Sequence, residues 1–239
     1  MATILLIRHG RTTANASGML AGRSAGVHLD DAGRAQAARA GERLAAVPLA
    51  RLVSSPLERC RETSAAIAAH QQVPVTIDDA LTECDYGTWQ GRPLSELAQE
   101  PLWTTVQAQP AAVTFPGGES MIQMQTRAVT AVRRIDAEVT AEHGPHAVWA
   151  VASHGDVIKS VLADALGLHL DLFQRLHVDP ASVSIVRHGD RRPDVVAVNT
   201  TAGDLGWLAA REGSQAPGAD AAVGGGAGQA PAYPPSMES

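Results

Sequence analysis

The chain carries a single lysine, Lys159, and no run of basic residues. Its formal net charge is −6 over 239 residues. A protein whose main partner is nucleic acid or an anionic membrane needs a basic face, so neither is expected as a partner. Any anion site must then be local and built from arginines. Cysteine is equally scarce. Cys60 and Cys84 are the only two and show no Cys-x-x-Cys spacing, which reads as two reduced thiols in a cytoplasmic protein. No Cys/His group has metal-ligand spacing, so neither a metal nor another cofactor is expected. No apolar stretch reaches transmembrane length. The start Met1-Ala2-Thr3-Ile4 lacks the basic region and cleavage site of a secretory signal.

Hydrophobic residues make up 45% of the chain, enough to bury a substantial core. Strand and helix signals alternate along it. Ala2–Ile7 reads as a buried strand, Asp30–Val47 as a helix capped by Asp30 or Asp31, and Arg51–Ser54 as a second strand. A helix with Pro56 in its first turn follows, to about His70, and Val73–Ile77 is a third strand. Glu119–His143 is a long amphipathic helix, His146–Ser153 a strand, and Asp156–Leu166 a helix stopped at Gly167. Ser182–His188 and Asp194–Asn199 are strands joined by a hairpin-like turn with Asp190 and Pro193. This order predicts an α/β fold, a three-layer α/β/α sandwich with a mostly parallel central sheet. Residues 1–211 form the expected domain, with a cap segment around 86–118. Residues 212–239, rich in Gly, Ala and Pro, are expected to be a disordered tail.

Two of the strands end alike. Thr3-Ile4-Leu5-Leu6-Ile7 runs into Arg8-His9-Gly10, and Val148-Trp149-Ala150-Val151-Ala152 runs into Ser153-His154-Gly155. Ligands of open α/β sheets bind at the carboxyl edge of the strands. Two imidazoles and a guanidinium gathered there can hold a phosphoryl group and attack it. Phosphoryl transfer spreads negative charge over three oxygens, so catalysis is mostly positioning and electrostatics. A neutral imidazole can form a phosphohistidine and split one hard step into two easier ones. Neighbouring guanidiniums favour the neutral ring, and their planar forks match phosphate oxygens.

Four segments carry a family resemblance: Arg8 to Asn15, Ser54 to Thr63, Leu81 to Gly91 (Leu-Thr-Glu-Cys-Asp-Tyr-Gly-Thr-Trp-Gln-Gly) and Ser153-His154-Gly155. In this order they resemble the histidine phosphatase superfamily, in its branch of phosphoglycerate-mutase-like phosphatases, over roughly residues 2–210. The resemblance implies that His9 is the nucleophile and that Arg8 and Arg59 clamp phosphate. His154 would then donate to the phosphoryl oxygens, and Glu83 would protonate the leaving group. It places Asn15 at a phosphate-contacting position and Gly22 and Arg23 in a substrate-side loop. Gly10 and Gly155 are expected to let substrate approach the backbone. Asp85 is a competing acid. Arg187-His188-Gly189 repeats the tripeptide but leads into another strand, and reads as a turn. Cys60, beside Arg59, is either a reactive thiol or a packed one, with packing favoured.

The expected activity is a metal-independent phosphomonoesterase that uses a phosphohistidine. A phosphoglycerate mutase needs extra cations for a second phosphate and a carboxylate. Between Tyr86 and Gly118 the only basic residue is Arg92. That segment instead offers Trp89, Leu97, Leu102, Trp103, Val106 and Phe115, a cap suited to an apolar or aromatic phosphate monoester. Mutase activity and a non-catalytic phospholigand-binding role are the alternatives. The expected partner is a small phosphorylated substrate. A homodimer fits apolar sheet edges and the habit of the family, though no residue decides the assembly.

Overall fold

The computed structural model describes residues 2–189 and 191–209. The tail expected over 212–239 and the turn residue Asp190 lie outside the described residues. In chain order the elements are β1 (Thr3–Arg8), α1 (Thr13–Ser17), α2 (Asp31–Leu44), β2 (Arg51–Ser54), α3 (Glu58–Ala68), β3 (Val75–Ile77), α4 (Leu94–Leu97), α5 (Pro101–Ala108), α6 (Met121–His143), β4 (Val148–Ser153), α7 (Gly155–Leu166), β5 (Val183–His188) and β6 (Pro193–Thr200).

The strands form one sheet in the order β3-β2-β4-β1-β5-β6. The four strands from β3 to β1 run parallel, and β5 and β6 close the far edge antiparallel. Side chains alternate across the central strands, as the two-residue period requires. Ile4, Leu6, Trp149 and Val151 pack with α6, α7 and the cap segment. Leu5, Ile7, Val148 and Ala150 pack on the other side with Leu44 of α2 and Ile67 of α3. Burial on both faces explains why these strands read as continuous apolar runs. The result is the expected three-layer α/β/α sandwich. Among the described residues no helix is long and apolar enough to cross a membrane.

Local chemistry sets the helix ends. Asp30, not Asp31, caps α2, its side chain accepting from Gly33 N at 2.7 Å. Ser120 and Gln123 form a reciprocal capping box at the start of α6, so that helix begins two residues later than Glu119. Pro56 precedes the N-cap Leu57 of α3 rather than lying in its first turn. Gly167 ends α7 in the left-handed region at φ 66°. The short helix α1 was not expected. Its signal is local: Thr12 caps it, and Asn15 returns a bond to the Thr12 backbone. The strand expected over Val73–Ile77 shortens to Val75–Ile77 at the sheet edge.

Candidate active site

Strand register brings the two histidines together. Arg8 pairs with Ser153 across the parallel strands β1 and β4. The next residues, His9 and His154, therefore leave the sheet side by side at its carboxyl edge. Their ring centroids are 5.3 Å apart at 63°. β2 ends at the same level, with Ser55 N donating to Ala152 O at 3.0 Å. β5 runs the other way, pairing Arg187 with Thr3. That puts the repeated Arg187-His188-Gly189 at the opposite edge, where His188 Nδ1 lies 3.1 Å from the buried Asp136.

His9 is buried, and its Nδ1 lies 2.7 Å from the Gly10 carbonyl oxygen. A carbonyl only accepts, so Nδ1 carries the proton and Nε2 keeps the lone pair. Burial, then the Arg59 charge, and more weakly Arg8, hold His9 well below its usual pKa, against an opposing push from the Gly10 bond. Burial thus outweighs the guanidiniums, which sequence reasoning had put first.

Of the two arginines, Arg59 is as buried as His9 and Arg8 is half-buried. Arg59 is 2% exposed, because it sits on the first turn of α3 beneath the loop of residues 18–24, and its Nη2 donates to Gly22 O at 2.7 Å. Arg59 Nε and Nη1 are buried and make no hydrogen bond. Arg8 Nη1 donates to Val178 O at 2.6 Å, while its Nε is also buried without a hydrogen-bond partner. Buried guanidinium N–H groups that the protein leaves unpaired are costly unless they serve an anion. Gly155 stands beside them: a Cβ there would lie 3.5 Å from Arg8 Nε. Gly10 has a different reason from the one expected. A Cβ on it would meet Gly33 O at 2.5 Å, so it serves the packing of α2 rather than substrate approach.

His154 is fully buried and stands behind His9 rather than on the cavity wall. Its Nε2 is 2.7 Å from Ser55 Oγ and 3.4 Å from Cys60 Sγ, and its Nδ1 is 4.0 Å from Glu83 Oε2. Burial, then Arg59 and His9, keep its pKa well down. Ser55 and Cys60 had no assigned part here; their position at the shared strand edge was the available signal. Burial pushes the Cys60 thiol up to about 12, which makes it a packed thiol and not a reactive one.

Glu83 is 8% exposed, and its Oε1 accepts from Cys84 N at 2.9 Å. Burial first, and then the nearby Asp156 carboxylate, push its pKa up to about 7. Asp85 does not line the cavity; it accepts from Gly87 N and faces Arg23 at 3.6 Å. The other carboxylate on the wall is Asp156, which sequence reasoning missed and which accepts from Tyr86 Oη at 2.8 Å.

These groups open on one cavity of about 280 Å³. Arg8, His9, Asn15, Gly22, Arg59, Glu83 and Gly155 line one end. Arg23 does not line it; its guanidinium turns to Glu119 at 2.9 Å and to Glu83 O at 2.9 Å. The other end is apolar. Of the four Trp, two Tyr and two Phe in the chain, five line it: Tyr86, Trp89, Trp103, Phe115 and Phe173. Leu97 and Leu102, expected in the cap, do not line it: Leu97 is buried in the core and Leu102 is half-buried against it. Among the described residues on the wall, Arg8 and Arg59 are the only cations. Arg92 pairs with Glu100 at 2.7 Å, away from it.

A family model described as histidine phosphatase superfamily (branch 1) matches residues 4–201. The chain belongs to that superfamily. This member is 35% identical over 202 residues to a bifunctional protein of Mycobacterium tuberculosis, covering 83% of the chain and 54% of that protein. The chain thus spans about half the length of the first curated relatives it matches. A probable phosphoglycerate mutase of Erwinia tasmaniensis is 30% identical, with 87% of this chain and 95% of the relative covered. Among solved structures, a mycobacterial glucosyl-3-phosphoglycerate phosphatase complexed with VO3 superposes with a TM-score of 0.75 at 25% identity. The match covers 82% of this chain and 98% of that one.

Proposed function

We propose that this histidine phosphatase superfamily member is a metal-independent phosphomonoesterase that works through a phosphohistidine on His9. The observation that carries the reading is the unpaired buried N–H groups of Arg8 and Arg59 beside the lone pair of His9 Nε2. The guanidiniums take the phosphoryl oxygens, and Nε2 attacks phosphorus as the P–O bond to the alcohol breaks. Asn15 offers its amide nitrogen to the same oxygens, since its Oδ1 is engaged by Thr12 at 3.0 Å. Glu83, protonated, gives its proton to the leaving oxygen. Ionised, it then takes one from the water that cleaves the P–N bond and releases phosphate. His154, neutral and packed against His9, steadies the charge that develops there.

The aromatic end of the cavity supports an apolar or aromatic leaving group. The mutase reading draws on the Erwinia relative, but a second phosphate would find no further cation on the wall. Turnover of p-nitrophenyl phosphate in EDTA, by the wild type and His9→Ala, tests the proposal. Activity that survives EDTA and vanishes in the variant is the expected result. EDTA-sensitive activity, or efficient conversion of 3-phosphoglycerate to 2-phosphoglycerate, would overturn it.

A further inference from the structure

Glu83 sits on a loop that has no strand or helix to hold it. Backbone polar groups in such a loop need other partners, and here one side chain meets three of the carbonyls. Arg127, on α6, donates through Nη1 to Ala80 O at 2.7 Å and Thr82 O at 2.8 Å. Its Nη2 donates to Glu83 O at 3.0 Å. The remaining donors form a bidentate pair with Glu119, Nη2 to Oε1 at 2.6 Å and Nε to Oε2 at 3.0 Å. Glu119 Oε1 also accepts from Asp85 N and from Arg23 Nη2, each at 2.9 Å. Arg23 Nε donates to Glu83 O at 2.9 Å, so the acid's own carbonyl is gripped from two sides. Neither Arg127 nor Glu119 lines the cavity.

We infer that the Arg127–Glu119 pair, joined by Arg23, is the positioning device that sets the Glu83 carboxyl against the leaving oxygen. The inference rests on the reading of Glu83 as the general acid. The network reaches further than the acid. Arg23 follows Gly22, whose carbonyl holds Arg59, so one cluster ties the phosphate clamp to the proton donor. A planar fork is required, because a lysine ammonium cannot serve three carbonyls and a bidentate carboxylate at once.

The test uses two substrates with the same ring and different leaving groups. p-Nitrophenyl phosphate expels a phenolate stable without a proton, whereas p-nitrobenzyl phosphate expels an alkoxide that needs one. General acid catalysis contributes roughly 10²- to 10⁴-fold, so Glu83→Gln should lose kcat/KM by about that factor on the benzyl ester alone. A misplacement of about 1 Å costs on the order of 10²-fold. Arg127→Lys and Glu119→Gln should therefore lose about 10- to 100-fold in kcat/KM on the benzyl ester and keep kcat/KM on p-nitrophenyl phosphate close to wild type, because the water step, where Glu83 is the base for either ester, enters kcat and not kcat/KM. If Glu83→Gln is selective but Arg127→Lys and Glu119→Gln lose both substrates equally, or neither, the positioning inference is overturned and the acid assignment stands. If Glu83→Gln itself loses both equally, the acid assignment falls and the inference with it. Melting curves identify a misfolded variant. The isosteric Glu119→Gln and the part-exposed Arg23→Gln then decide the question by the same substrate ratio.

Discussion

At the scale of single residues, Glu83 and His9, the proposed acid and nucleophile, are set apart by their surroundings. Both are buried, and burial disfavours the charged form of each. For His9 that means a ring neutral well below 6.5, its ordinary value. For Glu83 it means a carboxyl still protonated up to about 7. The signs agree with the proposal: near neutral pH His9 has its lone pair and Glu83 its proton. On an alkyl ester, kcat/KM should therefore fall as pH rises through about 7, where Glu83 gives up its proton. His9 sets no acid limb near its ordinary value. Asp156→Asn removes the second cause of the Glu83 shift, so the alkaline limb should move to lower pH. Glu83→Gln should abolish that limb. A pH profile of kcat/KM for the three proteins checks this, and an alkaline limb unmoved in both variants would contradict it.

At the scale of elements, the site depends on how closely α2 approaches the loop after β1. Gly10 and Gly33 meet backbone to backbone, and a Cβ on Gly33 would overlap the Arg11 carbonyl. Gly33→Ala should therefore push the 9–11 loop out. Overpacking of this kind costs about 1–3 kcal/mol, or roughly 2–4 °C of melting temperature per kcal/mol in a chain of this size. Turnover should fall as well, because His9 heads that loop. A thermal melt and a p-nitrophenyl phosphate assay read both effects; wild-type values in each would show that α2 does not position His9. This contact was not legible in the sequence, since Gly10 reads as a point of substrate approach and Gly33 as one more residue of a helix until the two elements are packed. The strands were legible, because Thr3–Ile7 and Val148–Ala152 are buried on both faces and apolar throughout. The Glu119–Arg127 pair left only a faint trace: Glu119 is the sole acidic residue between Glu100 and Asp136.

Across the whole molecule, a sparse composition is concentrated in one place. The chain is acidic and nearly free of lysine, yet two arginines carry unpaired N–H groups at the carboxyl edge of its sheet. It is poor in aromatics, and most of those it has face the same cavity. The motifs marked the histidine and arginine end of the cavity because each follows a strand of the sheet. The far end was harder to read, since Phe173, Gln174 and Met121 reach the cavity from segments far apart in sequence. The central claim is that phosphate passes through His9. It is tested most directly by quenching the enzyme with a labelled monoester under denaturing alkaline conditions and locating the label by peptide mass spectrometry. Acid-labile phosphate on the peptide of residues 9–11, absent from His9→Ala, is the predicted result. Label on another residue, or none while turnover proceeds, would contradict the account.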